Sequence, residues 1–423
     1  MEKLAIDGGS KAVPDALTPR SWPVITEEDI ESVTSALRSG VIWGTEAPNV
    51  LGLQDEWAEF CGAKYCKGTN GGTAAIHMGL CGVGVEAGDE VIVPAYTFHS
   101  SASAILHHNA IPVFVDIDFD TYTIDWRKVE EKITDKTRAI IGVDLFGLPA
   151  NWIEINKIAR KNDIKTVEDG CQAHGAAING KKTGNLTDIA AFSLNGSKNL
   201  PGAEGGLLVT NEWEFMEAAA KLEMNVRIVD GKRIYPKYSF GWNYRMNELA
   251  AALTRSQLKK LPELNDKRRG NCQRLSNALK KLEGLTPPLE PEGYRHVYHM
   301  YKVALDDSLV EKYDVPLKEL RDGIIYALMT EGVRTALWVQ DMIPSLEIYQ
   351  SQVGYGSGCP WSCPHGSRRT YEYKVEEYPA TARLVEGTFN LDYFYPPNDK
   401  DYIDAIIHAF EKVWAHFDTL FED

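Results

Sequence analysis

Between residues 68 and 209, short apolar and β-branched runs alternate with stretches of helical period, and this alternation constrains the fold more than any other feature. The runs are residues 88–94, 111–116, 139–144, 164–169, 189–192 and 207–209. Helical patterns occupy residues 74–80, 100–107 and 152–161. Runs this apolar leave no polar face for water, and each intervening helix is long enough for a crossover, so the pattern predicts βαβ units and a mostly parallel sheet with helices on both faces. Such α/β sheets gather ligands at the carboxyl ends of their strands. Asp169 closes one predicted strand, and Ser193 and Lys198 follow the end of another.

The remaining chain adds a lead-in and a second unit. Thr26 followed by Glu27, Glu28 and Asp29 reads as a capped helix start with an acidic first turn. Residues 39–45 form a glycine-rich loop with an exposed Trp43, either an active-site wall or a packing residue. Residues 212–285 are helical in pattern, with a break or kink expected at Pro262. Pro and Gly collect at 284–288, which places a boundary there and gives units 1–285 and 286–423. The second unit reads as smaller and α+β: a strand at 295–304, a helix at 317–330 and a strand at 334–339. After these come an insertion rich in Gly, Ser, Cys and aromatics at 349–373, and helices at 380–386 and 399–417.

A net charge of -15 over 423 residues argues against nucleic-acid or anionic-membrane partners. No apolar run approaches the length of a membrane span and no leader is evident, so a cytoplasmic protein is expected. The seven cysteines are odd in number and scattered, which reads as reduced thiols. Cys359 and Cys363 are spaced neither as a redox pair nor as half of a zinc site, and no metal is expected.

Lys198 lies in a Gly-broken loop between the apolar runs 189–192 and 207–209. An ammonium held near a core is disfavoured, which frees its amine as a nucleophile for carbonyl chemistry. An exposed loop lysine is the plain alternative. If Lys198 forms a Schiff base, the cofactor it suggests is pyridoxal 5'-phosphate, and that cofactor makes further demands. A carboxylate must face the pyridine nitrogen, and Asp169 is so placed. Backbone donors must meet the phosphate, and residues 70–73 (Asn-Gly-Gly-Thr) open a helix that supplies them. Phe98 can wall the ring, and Ser193 can add a hydroxyl. Each has a bland alternative: a helix cap, a capping carboxylate, a core phenylalanine. His174 reads equally as a general base or a structural histidine.

Taken together, these motifs resemble the DegT/DnrJ/EryC1/StrS sugar aminotransferases. The resemblance rests on residues 68–80, on residues 88–98, on 167–175 (Val-Glu-Asp-Gly-Cys-Gln-Ala-His-Gly), on 193–198 with 204–206, and on 241–246 (Gly-Trp-Asn-Tyr-Arg-Met), in the family's order. It implies a fold-type I pyridoxal-phosphate transferase. In it Lys198 is the Schiff-base lysine and proton carrier, Asp169 the partner of the pyridine nitrogen, and Gln172 a neighbour of the ring hydroxyl. Phe98 becomes the stacking ring, and Gly72, Thr73 and Ser193 the phosphate donors. Asn243 matches an asparagine that reaches the phosphate of a neighbouring subunit, so a homodimer is implied. Ala203 stands where the family usually has glycine. The implied reaction moves an amino group from L-glutamine or L-glutamate to a ketosugar or keto-cyclitol, in amino-sugar, aminocyclitol or antibiotic biosynthesis. The insertion containing Cys359, with residues 378–383, is similar to the inosose-acting branch, whereas nucleotide-linked ketosugars are the family's commoner acceptors. Both acceptor classes stay open.

Three rivals remain to be weighed. Pyridoxamine-dependent dehydratases of the family carry histidine at the lysine position, which Lys198 opposes. A regulatory or sensor protein on the same scaffold would leave its catalytic set idle. A nicotinamide oxidoreductase needs a strand followed by G-x-G-x-x-G opening a helix, which is absent.

Overall fold

The computed structural model describes residues 2–44, 46–229, 232–237, 239–362 and 370–421. Its centre is a seven-stranded sheet of β1 (Tyr65–Thr69), β2 (Glu90–Pro94), β3 (Ile111–Val115), β4 (Thr137–Val143), β5 (Lys165–Asp169), β6 (Ile189–Ser193) and β7 (Gly206–Thr210). The spatial order is β1-β7-β6-β5-β4-β2-β3. Strands β3, β2, β4, β5 and β6 pair in parallel, and β7 lies antiparallel between β6 and β1. The predicted α/β class with a mostly parallel sheet is therefore the observed one.

Apolar clusters fill both faces of this sheet. One face packs α3 (Gly72–Gly82) and α4 (Ser100–His107) through residues such as Ile76, Leu80, Ile105 and Val167. On the other face α2 (Pro48–Cys61) buries Leu53 and Trp57 against Phe192 and Leu207, and α5 (Trp152–Lys161) buries Trp152 and Ile155. Full burial on both sides accounts for strands without polar alternation.

Helix α1 (Glu27–Ser39) starts as expected, with Thr26 and Asp29 forming a capping box. Two expectations about residues 212–285 need correction. After α6 (Trp213–Ala219), residues 227–229 pair antiparallel with residues 232–234, and residues 239–244 are irregular. The helix α7 (Glu248–Leu279) then continues through Pro262 without a break. Packing against α1, α2 and the second core outweighs the one backbone hydrogen bond that proline removes.

The second core gathers Leu275, Tyr301, Val303, Leu328, Phe389 and Phe410 around a four-stranded antiparallel sheet. The strand expected at 295–304 is interrupted: Tyr294–Arg295 and Tyr301–Leu305 pair in different sheets, and the intervening turn heads toward the first core. Packing crosses the expected 285/286 boundary in both directions. Leu4 and Val13 sit in the second core, while Ile343, Tyr349, Trp361 and Tyr373 return to the first. The two-unit division is therefore proposed with these exchanges across it. Cys363 lies outside the described residues.

Candidate active site

The carboxyl ends of β1, β2, β4, β5 and β6 converge on a cavity of about 380 Å³. Gly72 and Thr73 line it from the start of α3, Phe98 from the loop after β2, Asp169 and Gln172 from the end of β5, and Ser193 and Lys198 from β6 and its loop. Residues separated by more than a hundred positions thus meet because a parallel sheet brings its strand ends to one edge.

Asp169 is 4% exposed and held at both oxygens. Ser101 Oγ donates to Oδ2 at 2.6 Å and the Cys171 N–H donates to Oδ1 at 3.1 Å. Ser101 is itself fixed to Thr97 Oγ1 at 2.9 Å, so the carboxylate has one orientation. Gln172 spends its Oε1 on the Phe146 N–H at 2.8 Å, and its amide nitrogen makes no hydrogen bond among the described residues. Each Asp169 oxygen keeps a further lone pair and Gln172 keeps its amide nitrogen, which leaves polar capacity for a ligand.

Lys198 is half-buried. Burial pushes its ammonium below the usual lysine range, with Cys171 and Asp169 opposing the shift. No carboxylate lies within ion-pair reach of its Nζ among the described residues, and the side chain lines the cavity. Its loop is stapled from outside by Trp22, whose Nε1–H donates to the Lys198 carbonyl at 3.0 Å.

The turn into α3 has no side-chain cap, and Gly71, Gly72 and Thr73 line the cavity with no side-chain acceptor for their N–H groups among the described residues. A Cβ on Gly72 would lie 2.9 Å from both Cys171 Sγ and Ser193 Cβ, so only glycine lets the helix start sit this close to β6. An anion-sized space at uncapped N–H groups suits a phosphate. Together with a fixed carboxylate and a lysine amine across the same cavity, the residues present fit a phosphorylated pyridine aldehyde.

Phe98 is 57% exposed on the cavity wall, which excludes the core-packing alternative. His174 is buried between Trp57 and Phe192 and is not on the wall; burial pushes its ring down to about 3, so it is neutral packing. Asn243 is exposed and does not line its own chain's cavity, although its carbonyl is 3.3 Å from Asn70 Nδ2 beside the α3 turn. Sequence reasoning missed Ser101, Trp22, His299, Met300 and Trp338. The first is an ordinary serine near a helix start, and the rest come from distant segments with no motif.

The sequence profile of the DegT/DnrJ/EryC1/StrS aminotransferase family matches residues 23–408. The chain belongs to this family. Among relatives, GDP-perosamine synthase of Caulobacter vibrioides is 35% identical over 277 residues, covering 64% of this chain and 73% of that protein. L-glutamine:2-deoxy-scyllo-inosose aminotransferase of Streptomyces fradiae is 33% identical over 339 residues, covering 76% and 78%. Among solved structures, Spr1654 of Streptococcus pneumoniae, assigned as a sugar aminotransferase and captured in its PMP form, superposes with a TM-score of 0.81 at 25% identity, covering 95% of this chain and 99% of that one. The family's aminotransferase fold and the cavity built above occupy the same part of the chain.

Proposed function

We propose that this family member transfers an amino group from L-glutamine or L-glutamate to a ketosugar or keto-cyclitol, using the cavity around Lys198. It is an aminotransferase, and its cofactor is pyridoxal 5'-phosphate. The observation that carries the reading is the meeting of Lys198, Asp169 and the uncapped α3 turn in one cavity. When bound, the cofactor supplies the aldehyde that takes up the amino group and a ring that spreads the electron pair left at the donor carbon.

This chain's residues do the rest. Uncapped N–H groups at Gly72 and Thr73, with the Ser193 hydroxyl, bind the phosphate. Asp169, oriented by Ser101 and the Cys171 N–H, holds a proton on the ring nitrogen. Lys198, its amine favoured by burial, would remove the proton from the donor Cα and deliver it to the carbon that was the cofactor's aldehyde carbon. Gln172 offers its free amide nitrogen to the ring hydroxyl, and Phe98 covers the ring face.

Asn243 serves the cavity of a second copy. Its absence from its own cavity supports this, as do the exposed Trp43, Phe240 and Trp242, large apolar side chains that a second copy would cover. A homodimer with shared sites follows.

Both acceptor classes have support, because one relative is named for a GDP-sugar and another for an inosose. The test is a panel: the purified protein with cofactor and L-glutamine or L-glutamate is offered nucleotide-linked ketosugars and inososes, and amino products are read by mass spectrometry. Visible colour that bleaches on adding donor and returns with one acceptor class supports the reading. Colour that never responds to donor would leave a sensor without turnover.

A further inference from the structure

The strand Thr388–Leu391 alternates in chemistry, and its two faces meet different surroundings. Phe389 and Leu391 enter the second core, so Asn390 and, one residue past the strand end, Asp392 face the other way. Asp392 keeps the extended course because its N–H donates to the Arg334 carbonyl at 2.9 Å. Both residues line a second cavity of about 280 Å³ beside the main one, with which it shares Ser197, His299, Met300 and Trp338.

Neither polar group is spent inside the protein. Asn390 is 5% exposed, its Oδ1 has no hydrogen-bond partner, and its Nδ2 has only the Met300 sulfur at 3.9 Å. The Asp392 carboxylate makes no hydrogen bond or ion pair among the described residues, and burial pushes its carboxyl above the usual carboxylate range. Arg268, the cation lining the same cavity, lies over the Trp22 ring at 4.7 Å and does not pair with it. Buried Glu331 and Asp116, by contrast, take Lys412 at 2.9 Å and Lys128 at 3.1 Å. Sheltered acceptors without donors are costly until a ligand supplies them.

We propose that Asp392 and Asn390 bind neighbouring hydroxyl groups on the ring of the amino acceptor, in the smaller cavity next to Lys198. The proposal rests on the aminotransferase reading and deepens it. Three observations favour hydroxyls. The Asp392 carboxylate and Asn390 Oδ1 both lack a donor, and a hydroxyl supplies one while its own oxygen accepts from Asn390 Nδ2. L-Glutamate, by comparison, has no hydrogen on its carboxylates to offer an acid. Trp22, Trp338 and Tyr395 give the cavity flat apolar walls, which suit the C–H faces of a saturated ring. One cation and one anion line the space, so it suits a neutral polyol better than a phosphate. The two side chains stand side by side on one strand face and so reach adjacent groups of one ring. The opening at Ser197, next to Lys198, leaves the ketone of that ring toward the amine. A cyclitol and a sugar both carry such a hydroxyl pair.

The test bleaches the holoenzyme with L-glutamine or L-glutamate, removes the donor, and follows the returning colour after rapid mixing with an acceptor. Two sources of the hydroxyl pair are offered, scyllo-inosose and a nucleotide-linked 4-ketohexose. Each is compared with a stripped counterpart, cyclohexanone for the first and the 2,3-dideoxy sugar for the second. In the parent, one hydroxylated acceptor should return the colour at least about 10-fold more efficiently than its counterpart, which identifies the source. Asp392→Ala should raise the acceptor concentration for half-saturation by about 10-fold or more and narrow that preference, while the bleaching half-reaction keeps its donor half-saturation. Asp392→Asn, which keeps the shape without the charge, should fall between, and Asn390→Ala should cost the acceptor about 3- to 10-fold. Should an alanine variant fail to fold, Asp392→Asn decides. An Asp392 variant that keeps acceptor saturation, or that loses donor saturation instead, overturns the proposal. So does a parent whose colour returns with 2-oxoglutarate but with neither hydroxylated acceptor. A parent that never takes up the cofactor refutes the aminotransferase reading instead.

Discussion

Replacing Ser101 by alanine removes one atom that touches the Asp169 carboxylate and no atom of the proposed catalytic pair. The Ser101 Oγ to Asp169 Oδ2 bond is 2.6 Å long, Ser101 is fully buried and Asp169 is 4% exposed, so water cannot replace the lost donor. A hydrogen bond to a buried charged group contributes roughly 1.5–3 kcal/mol, equivalent to about 10- to 150-fold in an equilibrium or rate. The Cys171 N–H still holds Oδ1, so Asp169 stays in the cavity but is free to turn. The proposed role of Asp169 then predicts a loss of that size shared between cofactor affinity, measured by absorbance titration, and the rate of donor-induced bleaching, measured by stopped flow. Ser101→Cys gives intermediate values if its weaker S–H reaches the oxygen. A Ser101→Ala protein with unchanged cofactor affinity and unchanged bleaching rate, altered only in thermal stability, would refute the reasoning.

Three further outcomes follow from the same geometry. Ala203 holds φ 66, a left-handed conformation that costs a side chain roughly 1 kcal/mol, and it is exposed. Ala203→Gly should therefore raise unfolding stability by about 0.5–1 kcal/mol in a denaturant titration, the extra freedom of unfolded glycine taking back part of the gain. Buried Glu168 is pushed up to about 7 by its desolvation beside Asp144. Its folded value exceeds its unfolded one, so its favourable contribution is complete below pH 4.5 and is lost as pH rises through about 7. Glu168→Gln should flatten the fall in melting temperature across that window; a parent whose stability does not fall there contradicts it. Mixing inactive Lys198→Ala and Asn243→Ala proteins, unfolded and refolded together, should restore activity through heterodimers with one intact site. No recovery would place Asn243 in its own chain's site.

Much of the fold was legible because it rests on local chemistry. Residues 152–161, 100–107 and 317–330 are helices at the expected positions, since amphipathic period and capping residues act within a few turns. The apolar runs became strands because nothing but a doubly covered sheet can bury them. Expectation failed where distant packing overrode local signals. Pro262 did not break α7, because contacts along the helix outweigh one missing hydrogen bond. Residues 227–229 and 232–234 read as helix and pair as antiparallel strands, and the 295–304 strand splits so that His299 and Met300 reach the cavity. Within the site, strand-end residues such as Asp169 could be placed from sequence. Ser101, Trp22 and Arg268 could not, because only the folded chain brings residues 22, 101 and 268 to a strand edge near 169 and 198.

The account turns on one amine. Treating the cofactor-loaded protein with borohydride, digesting it and locating the cofactor's mass by peptide sequencing tests this directly. The account predicts a single modified peptide carrying the reduced cofactor on Lys198, and none when donor has first been added. Modification of another lysine, or colour with no covalent attachment after reduction, would contradict it.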